Sequence, residues 1–312
     1  MARSGRIGLM QWVIGEKHFL EIPQGIIDQL RESTRTLKEV VDIEQKFDIL
    51  YSNFIELEQE IAQVTIRDAY RNVESVTDLF DAKETITRRV GNLLSSARLY
   101  VDQVKHHVST LFPKDQLTKV EVSGYFSKEY DTRFGYRVME ALRNYSQHRG
   151  LPVHGMSHIA SWLDGDRPTK RNEHNAALII SIDELKADGS IKSQIIEDLE
   201  AMEGTLDLKP FIREYIEGLA SVHTQIRTLL QPIVARSEKM VSDTRKMFAE
   251  HAKLKSGPVG LVAGRIYKDG TAEEFFSLSD NSITYAAKLR TRTRSLQSLS
   301  KRTISTRNAF QV

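Results

Sequence analysis

The chain contains no cysteine. Disulfides, thiolate nucleophiles and cysteine-ligated zinc are therefore excluded, and the cytoplasm is the expected location. Only 7 of 312 residues are proline, which permits long uninterrupted helices. No apolar run approaches the roughly 18–20 residues that a membrane-spanning helix needs. The stretch Ile7 to Ile14 follows Arg3 and Arg6 and imitates a secretory leader. Gln11 interrupts it, and it lacks a small-residue cleavage site. No membrane partner is expected. The phosphate loop GxxxxGK(S/T), HExxH and GxSxG are missing, as is a GxGxxG opening a βαβ unit. That removes most nucleotide-hydrolysing, zinc-peptidase and α/β-hydrolase chemistry.

Net charge is also small, at +2, so the chain as a whole is not an electrostatic nucleic-acid binder. Its distribution is less even. Beyond Asp280 there is no acidic residue, yet Lys288, Arg290, Arg292, Arg294, Lys301, Arg302 and Arg307 follow. Such a tail can neutralise phosphates or can be a solvated terminus.

What is present is helical period. Val40, Ile43, Phe47, Leu50, Phe54, Leu57, Ile61 and Val64 alternate spacings of three and four, which predicts a helix over 36–64 with a full heptad seam. Further helices are expected over 66–80, 82–111 and 130–148. The helix over 82–111 carries His107 on its apolar stripe, read as a core or boundary histidine with one hydrogen bond. An extended connector is expected over 120–126 and a loop over 154–175. The run 177–183 fits a strand or a buried helical segment. Ser190 is placed to cap a helix through Leu199 or Met202. A last long helix spans 209–254, and Pro232 should kink or break it. Its seam of Ile212, Leu219, Ile226, Ile233, Met240, Met247 and Leu254 thins after that proline, so 233–254 is a candidate face for a protein partner. A small hairpin over 259–278 closes the pattern. The expected fold is mainly α: a long antiparallel helical bundle with a small C-terminal β-hairpin and basic tail. Its division is 1–34, 35–255 and 256–312.

Chemistry concentrates in Glu140-Ala-Leu-Arg143-Asn144-Tyr-Ser-Gln-His148-Arg149. Arginine offers a fixed planar cation for a phosphorane. Histidine, with an unperturbed pKa of about 6.5, moves protons near neutrality. RNA carries its own nucleophile, the 2′-hydroxyl, so this set needs neither metal nor cofactor. Arg143, the polar Asn144 and His148 resemble the active-site motif of the HEPN superfamily, in which a histidine follows the arginine after four to six positions. The motif covers six residues, with a looser helical likeness over 35–255. The resemblance implies metal-independent RNA cleavage in a defence, toxin–antitoxin or stress context. It also implies a homodimer sharing its site, with Arg143, Asn144 and His148 catalytic. Arg149, His154, Arg167, Lys170 and Arg171 are the expected RNA contacts.

Helix geometry sets a condition. Five residues turn an α-helix through about 500°, leaving Arg143 and His148 about 140° apart. Convergence needs a break inside the motif or a second copy. The alternative is a non-catalytic helical interaction protein. There Arg143 pairs with a carboxylate, His148 favours a helix C-terminus, and the seams and basic tail bind partners. His148, His154, His158 and His174 also have generic metal-ligand spacing. With no companion cysteine and the nearest acids in a loop, they are read as cleft-lining or exposed, and no metal site is expected.

Overall fold

The computed structural model describes residues 5–14, 18–70, 76–163, 171–267, 272–293, 296–302 and 304. The fold is mainly α. In chain order the elements are β1 (Gly5–Gln11), β2 (Phe19–Glu21), α1 (Gln24–Tyr70), α2 (Val76–Leu111), α3 (Gln116–Thr132), α4 (Phe134–His148), β3 (Gly155–Leu163) and β4 (Arg171–Ile179). They continue with α5 (Ile182–Asp188), α6 (Ser193–Glu200), α7 (Leu208–His251), β5 (Leu261–Tyr267), β6 (Ala272–Ser277) and α8 (Asn281–Arg292), then a 3₁₀ turn at Leu299–Lys301.

The chain forms two compact units, and the long helices pass through both. The first comprises Met1–Gln45, His106–Lys114 and Ile226–Arg294. The second comprises Lys46–Lys105, Asp115–Gln225 and Ser295–Val312. This division differs from the expected 1–34, 35–255 and 256–312, because strands from both ends of the sequence share one sheet.

In the first unit that sheet is antiparallel with order β2-β1-β5-β6. The expected C-terminal hairpin is thus half of a larger sheet. Its inner face packs Leu9, Leu261, Ala263 and Leu278 against Ile27, Leu30 and Phe248. Burying side chains of this size contributes about 1.5–3 kcal/mol each. Gly8 pairs with Glu21, and a Cβ there would lie 2.3 Å from the Leu20 carbonyl oxygen. Gly8→Ala should therefore cost about 1–3 kcal/mol. Urea unfolding reads this directly, and an unchanged midpoint would contradict the β1–β2 register.

The second half of α7 lies in this unit and is unbroken at Pro232. Pro232 is on the exposed side, where water can serve the carbonyl that loses its amide partner. Its apolar face is not vacant. Val234, Val241 and Phe248 are buried, and Met240 and Leu254 pack on the sheet cluster. Only Met247 of the predicted seam is openly exposed. The expected partner face over 233–254 is thus largely covered by its own chain.

The basic tail is partly folded as well. Arg290 of α8 lies 3.3 Å from Glu44 and 3.8 Å from Glu238, while Ala286 and Leu289 are buried. Arg294 and Arg307 lie outside the described residues. Glu44, only 2% exposed, also accepts from Arg227 Nε at 2.9 Å and Nη2 at 2.6 Å. His107, half-buried, makes one hydrogen bond to Glu39 at 2.6 Å.

In the second unit all α1 seam residues from Phe47 to Val64 are buried. Helix α1 runs antiparallel to α2, since Phe47 meets Tyr100 while Glu56 pairs with Arg89. It runs antiparallel to α7 too, since Phe47 stacks on His223 at 3.9 Å while Glu58 holds Arg213. The expected helix over 66–80 is divided between α1 and α2, with 71–75 outside the described residues. The expected connector over 120–126 lies inside helix α3. Asp115 caps it by accepting from the Thr118 backbone N–H at 3.1 Å, supplying the start signal that its weak apolar pattern lacks. The expected loop over 154–175 is largely the two strands of the β3–β4 hairpin, with 164–170 outside the described residues. Gly189 ends α5 in the left-handed conformation. Helix α6 starts at Ser193 after Lys192, not at Ser190.

Candidate functional site

The motif occupies the last turns of α4. Val138, Met139, Leu142 and Tyr145 are buried at spacings of one, three and three, so they form one helix stripe and fix the outward direction of the rest. Helix α4 is continuous from Phe134 to His148. It does not break inside the motif, and one chain does not bring Arg143 and His148 together.

Arg143 is held by its own helix. Its Nη2 donates to Asn144 Oδ1 at 2.7 Å and its Nη1 to Gln147 Oε1 at 3.4 Å. Its Nε lies 3.5 Å from Glu140 Oε2, and its side chain is 14% exposed. Glu140 Oε1 accepts from the Tyr215 hydroxyl at 2.7 Å. Tyr215 is fully buried; burial first, then the Glu140 charge, push its hydroxyl pKa well upward. It therefore stays protonated and donates. The Glu140–Arg143 pair is thus anchored to α7, and Asn144 is oriented by Arg143.

Asn144 and Glu140 open onto a cleft of about 270 Å³. Ala141, Ile191 and Ile195 form its apolar wall. Lys192 stands at it with Nζ 3.1 Å from the Tyr130 hydroxyl and 5.1 Å from the Tyr130 ring centre. Neither Lys192 nor Tyr130 was singled out by the sequence. The Lys192–Tyr130 approach spans 62 positions and leaves no local periodic signal.

His148 is exposed on the final turn, where a cation is favoured by the helix dipole. It makes no hydrogen bond or ion pair among the described residues. Arg149 follows as the exposed C-cap. Arg167 and Lys170 lie outside the described residues; of Arg171 only the backbone, at the start of β4, is described.

His154 is not a surface RNA contact. Its side chain is 4% exposed. Its Nδ1 accepts from the Ser181 backbone N–H at 3.0 Å, so the ring proton is on Nε2, 3.3 Å from the Tyr145 hydroxyl. Burial pushes its pKa down from 6.5, opposed by Glu184 and assisted by Lys83. The unfolded chain takes up this proton near pH 6.5, the folded chain only at lower pH. Stability is therefore complete above about pH 6.5 and lost as pH falls below it. Melting temperature should fall more steeply from about pH 7 to about pH 5 in the wild type than in His154→Gln. Equal slopes would contradict a buried neutral ring.

His158 and His174 do come together, across the β3–β4 hairpin, with ring nitrogens 2.9 Å apart. Behind them buried Asp68 lies 3.4 Å from His158 Nδ1. The three form a file, not a convergent set. Among the described residues no group of three His, Asp or Glu side chains is arranged to hold a metal ion, and no helix is long and apolar enough to cross a membrane. Comparison with known proteins finds no matching family model, no similar curated protein and no similar solved structure.

Proposed function

We propose that the chain is a metal-independent endoribonuclease of the HEPN type, working in the cytoplasm as a pair of copies in a defence, toxin–antitoxin or stress context. The observation that carries this reading is the state of the motif. His148 is exposed and without a partner among the described residues, while Arg143 and Asn144 are locked to each other one turn away. Because α4 is unbroken, His148 of one copy must act with Arg143 and Asn144 of another. In the reaction the 2′-hydroxyl attacks the adjacent phosphorus as His148 takes its proton. The P–O5′ bond breaks, leaving a 2′,3′-cyclic phosphate, and the departing 5′-oxyanion takes, through water, the proton that His148 accepted and becomes a 5′-hydroxyl. Arg143 retains unused Nη–H donors for the phosphorane oxygens.

Arg143's own contacts favour a second reading. Glu140 already balances its charge at 3.5 Å, as a structural arginine would be balanced. The chain is then a non-catalytic helical assembly protein. Incubating the purified protein with single-stranded RNA in EDTA separates the two. The first reading expects cleavage with cyclic-phosphate ends. Intact RNA, or cleavage that survives His148→Ala, would overturn it.

A further inference from the structure

We propose that the cleft beside Asn144 binds one nucleotide of single-stranded RNA, with the base against the apolar wall and the phosphate at Lys192. At about 270 Å³ the cleft falls just below the usual range of roughly 300–1,000 Å³ for ligand pockets. One base with its phosphate suits it better than a larger ligand.

The charges around the cleft select the ligand. Glu140 is already engaged by the Tyr215 hydroxyl and faces Arg143, so it has little left for an incoming ammonium group. Lys192 is exposed and has no carboxylate partner among the described residues; it meets the hydroxyl and the ring of Tyr130. The net demand of the cleft is therefore for an anion, held by an ammonium that Tyr130 keeps in place. Asn144 supplies direction. Its Oδ1 accepts from Arg143, which fixes the amide and leaves both Nδ2 hydrogens for acceptors on a base edge. Ala141, Ile191 and Ile195 offer an apolar wall to a flat ring. A neutral aromatic ring with edge acceptors and an attached phosphate meets all three demands. An amino acid fails for want of a free carboxylate. Arg143 thereby acts as a positioning residue for Asn144.

The choice of a nucleotide over other anions rests on the ribonuclease reading, but binding can be measured without cleavage. Titration calorimetry of the full chain with uridine 3′-monophosphate, uridine and inorganic phosphate tests it. The monophosphate should bind more tightly than either part. Lys192→Ala should weaken the monophosphate about tenfold and leave uridine unchanged, while Asn144→Ala should weaken both by a similar factor. Unchanged affinity in both variants, or phosphate binding as tightly as the nucleotide, would overturn the inference. So would glutamate binding in place of the nucleotide. Nucleotide binding without RNA cleavage would refute the ribonuclease reading and leave the inference standing. Cleavage that depends on His148 but is untouched by Lys192→Ala would do the reverse.

Discussion

His148→Ala should lower metal-independent RNA cleavage by about 10²–10⁴-fold, the usual contribution of a positioned acid–base group, and leave the melting temperature unchanged. The two halves of this expectation have separate causes. His148 is exposed on the last turn of α4 and makes no contact among the described residues that folding would lose. If it matters, it matters in solution chemistry or against another copy. His148→Gln separates the chemistry further, because it keeps a hydrogen-bonding group of similar reach but cannot carry the proton. Gel analysis of labelled RNA in EDTA gives the rates, and circular dichroism gives the melting curve. A variant that cleaves normally would assign His148 to the surface alone.

Arg227→Ala should cost about 3–5 kcal/mol, the range for stranding a buried charge. Glu44 is 2% exposed and takes two hydrogen bonds from the Arg227 fork, at 2.9 and 2.6 Å. Arg290, at 3.3 Å, is a weaker second partner and cannot replace that fork. Total stability of folded domains is only about 5–15 kcal/mol, so this one change should remove a large share of it. The contrast is Arg6, paired with Glu21 at 3.4 Å with both side chains about two-thirds exposed. Its replacement should cost less than about 1 kcal/mol, because water screens the pair. Urea melts of the two variants side by side provide the check. Equal, small losses would show that Glu44 relaxes to solvent or is served by Arg290 alone.

The fold was legible where the signal is local. Helix α1 is plain in the sequence because its seam runs from Val40 to Val64 with no glycine or proline to interrupt it. Helix α3 was not, because Val120, Val122 and Gly124 weaken the helical pattern, and the start signal is a single cap at Asp115. The sheet order was hidden for another reason. Strand β1 pairs with β5 through partners such as Leu9 and Ala263, a separation no local period encodes. Helix α7 teaches the subtlest lesson. A strict seven-residue step through Ile212, Leu219 and Ile226 points next to Ile233, Met240 and Met247. A straight α-helix drifts about 20° per heptad against that step. The buried series accordingly moves one residue on, to Val234, Val241 and Phe248. The apparent thinning after Pro232 is that drift, not the loss of a core.

The candidate site divides the same way. Arg143, Asn144 and His148 stand out because they are close in sequence, and helix periodicity alone sets their 140° problem. The contact that restrains Arg143 runs through Glu140 to Tyr215, 75 positions away. Lys192 enters the cleft from the N-cap of α6 and Tyr130 from the end of α3, and the His158–His174 pair forms only across a hairpin. His158 and His174 could be noticed as histidines but not paired, and Lys192 and Tyr130 carried no local pattern by which to find them.

The central claim is that two copies complete one another's site, and complementation tests it most directly. Arg143→Ala and His148→Ala, each first shown to be folded, should both be inactive alone. Mixed in equal amounts and allowed to exchange subunits, half the dimers should be mixed, and each should hold one intact Arg143–His148 pair. Activity should return to roughly a quarter of wild type by symmetry of the exchange. A mixture as inactive as its components, from chains shown to have exchanged, would contradict the shared site; full activity in either variant alone would contradict the motif.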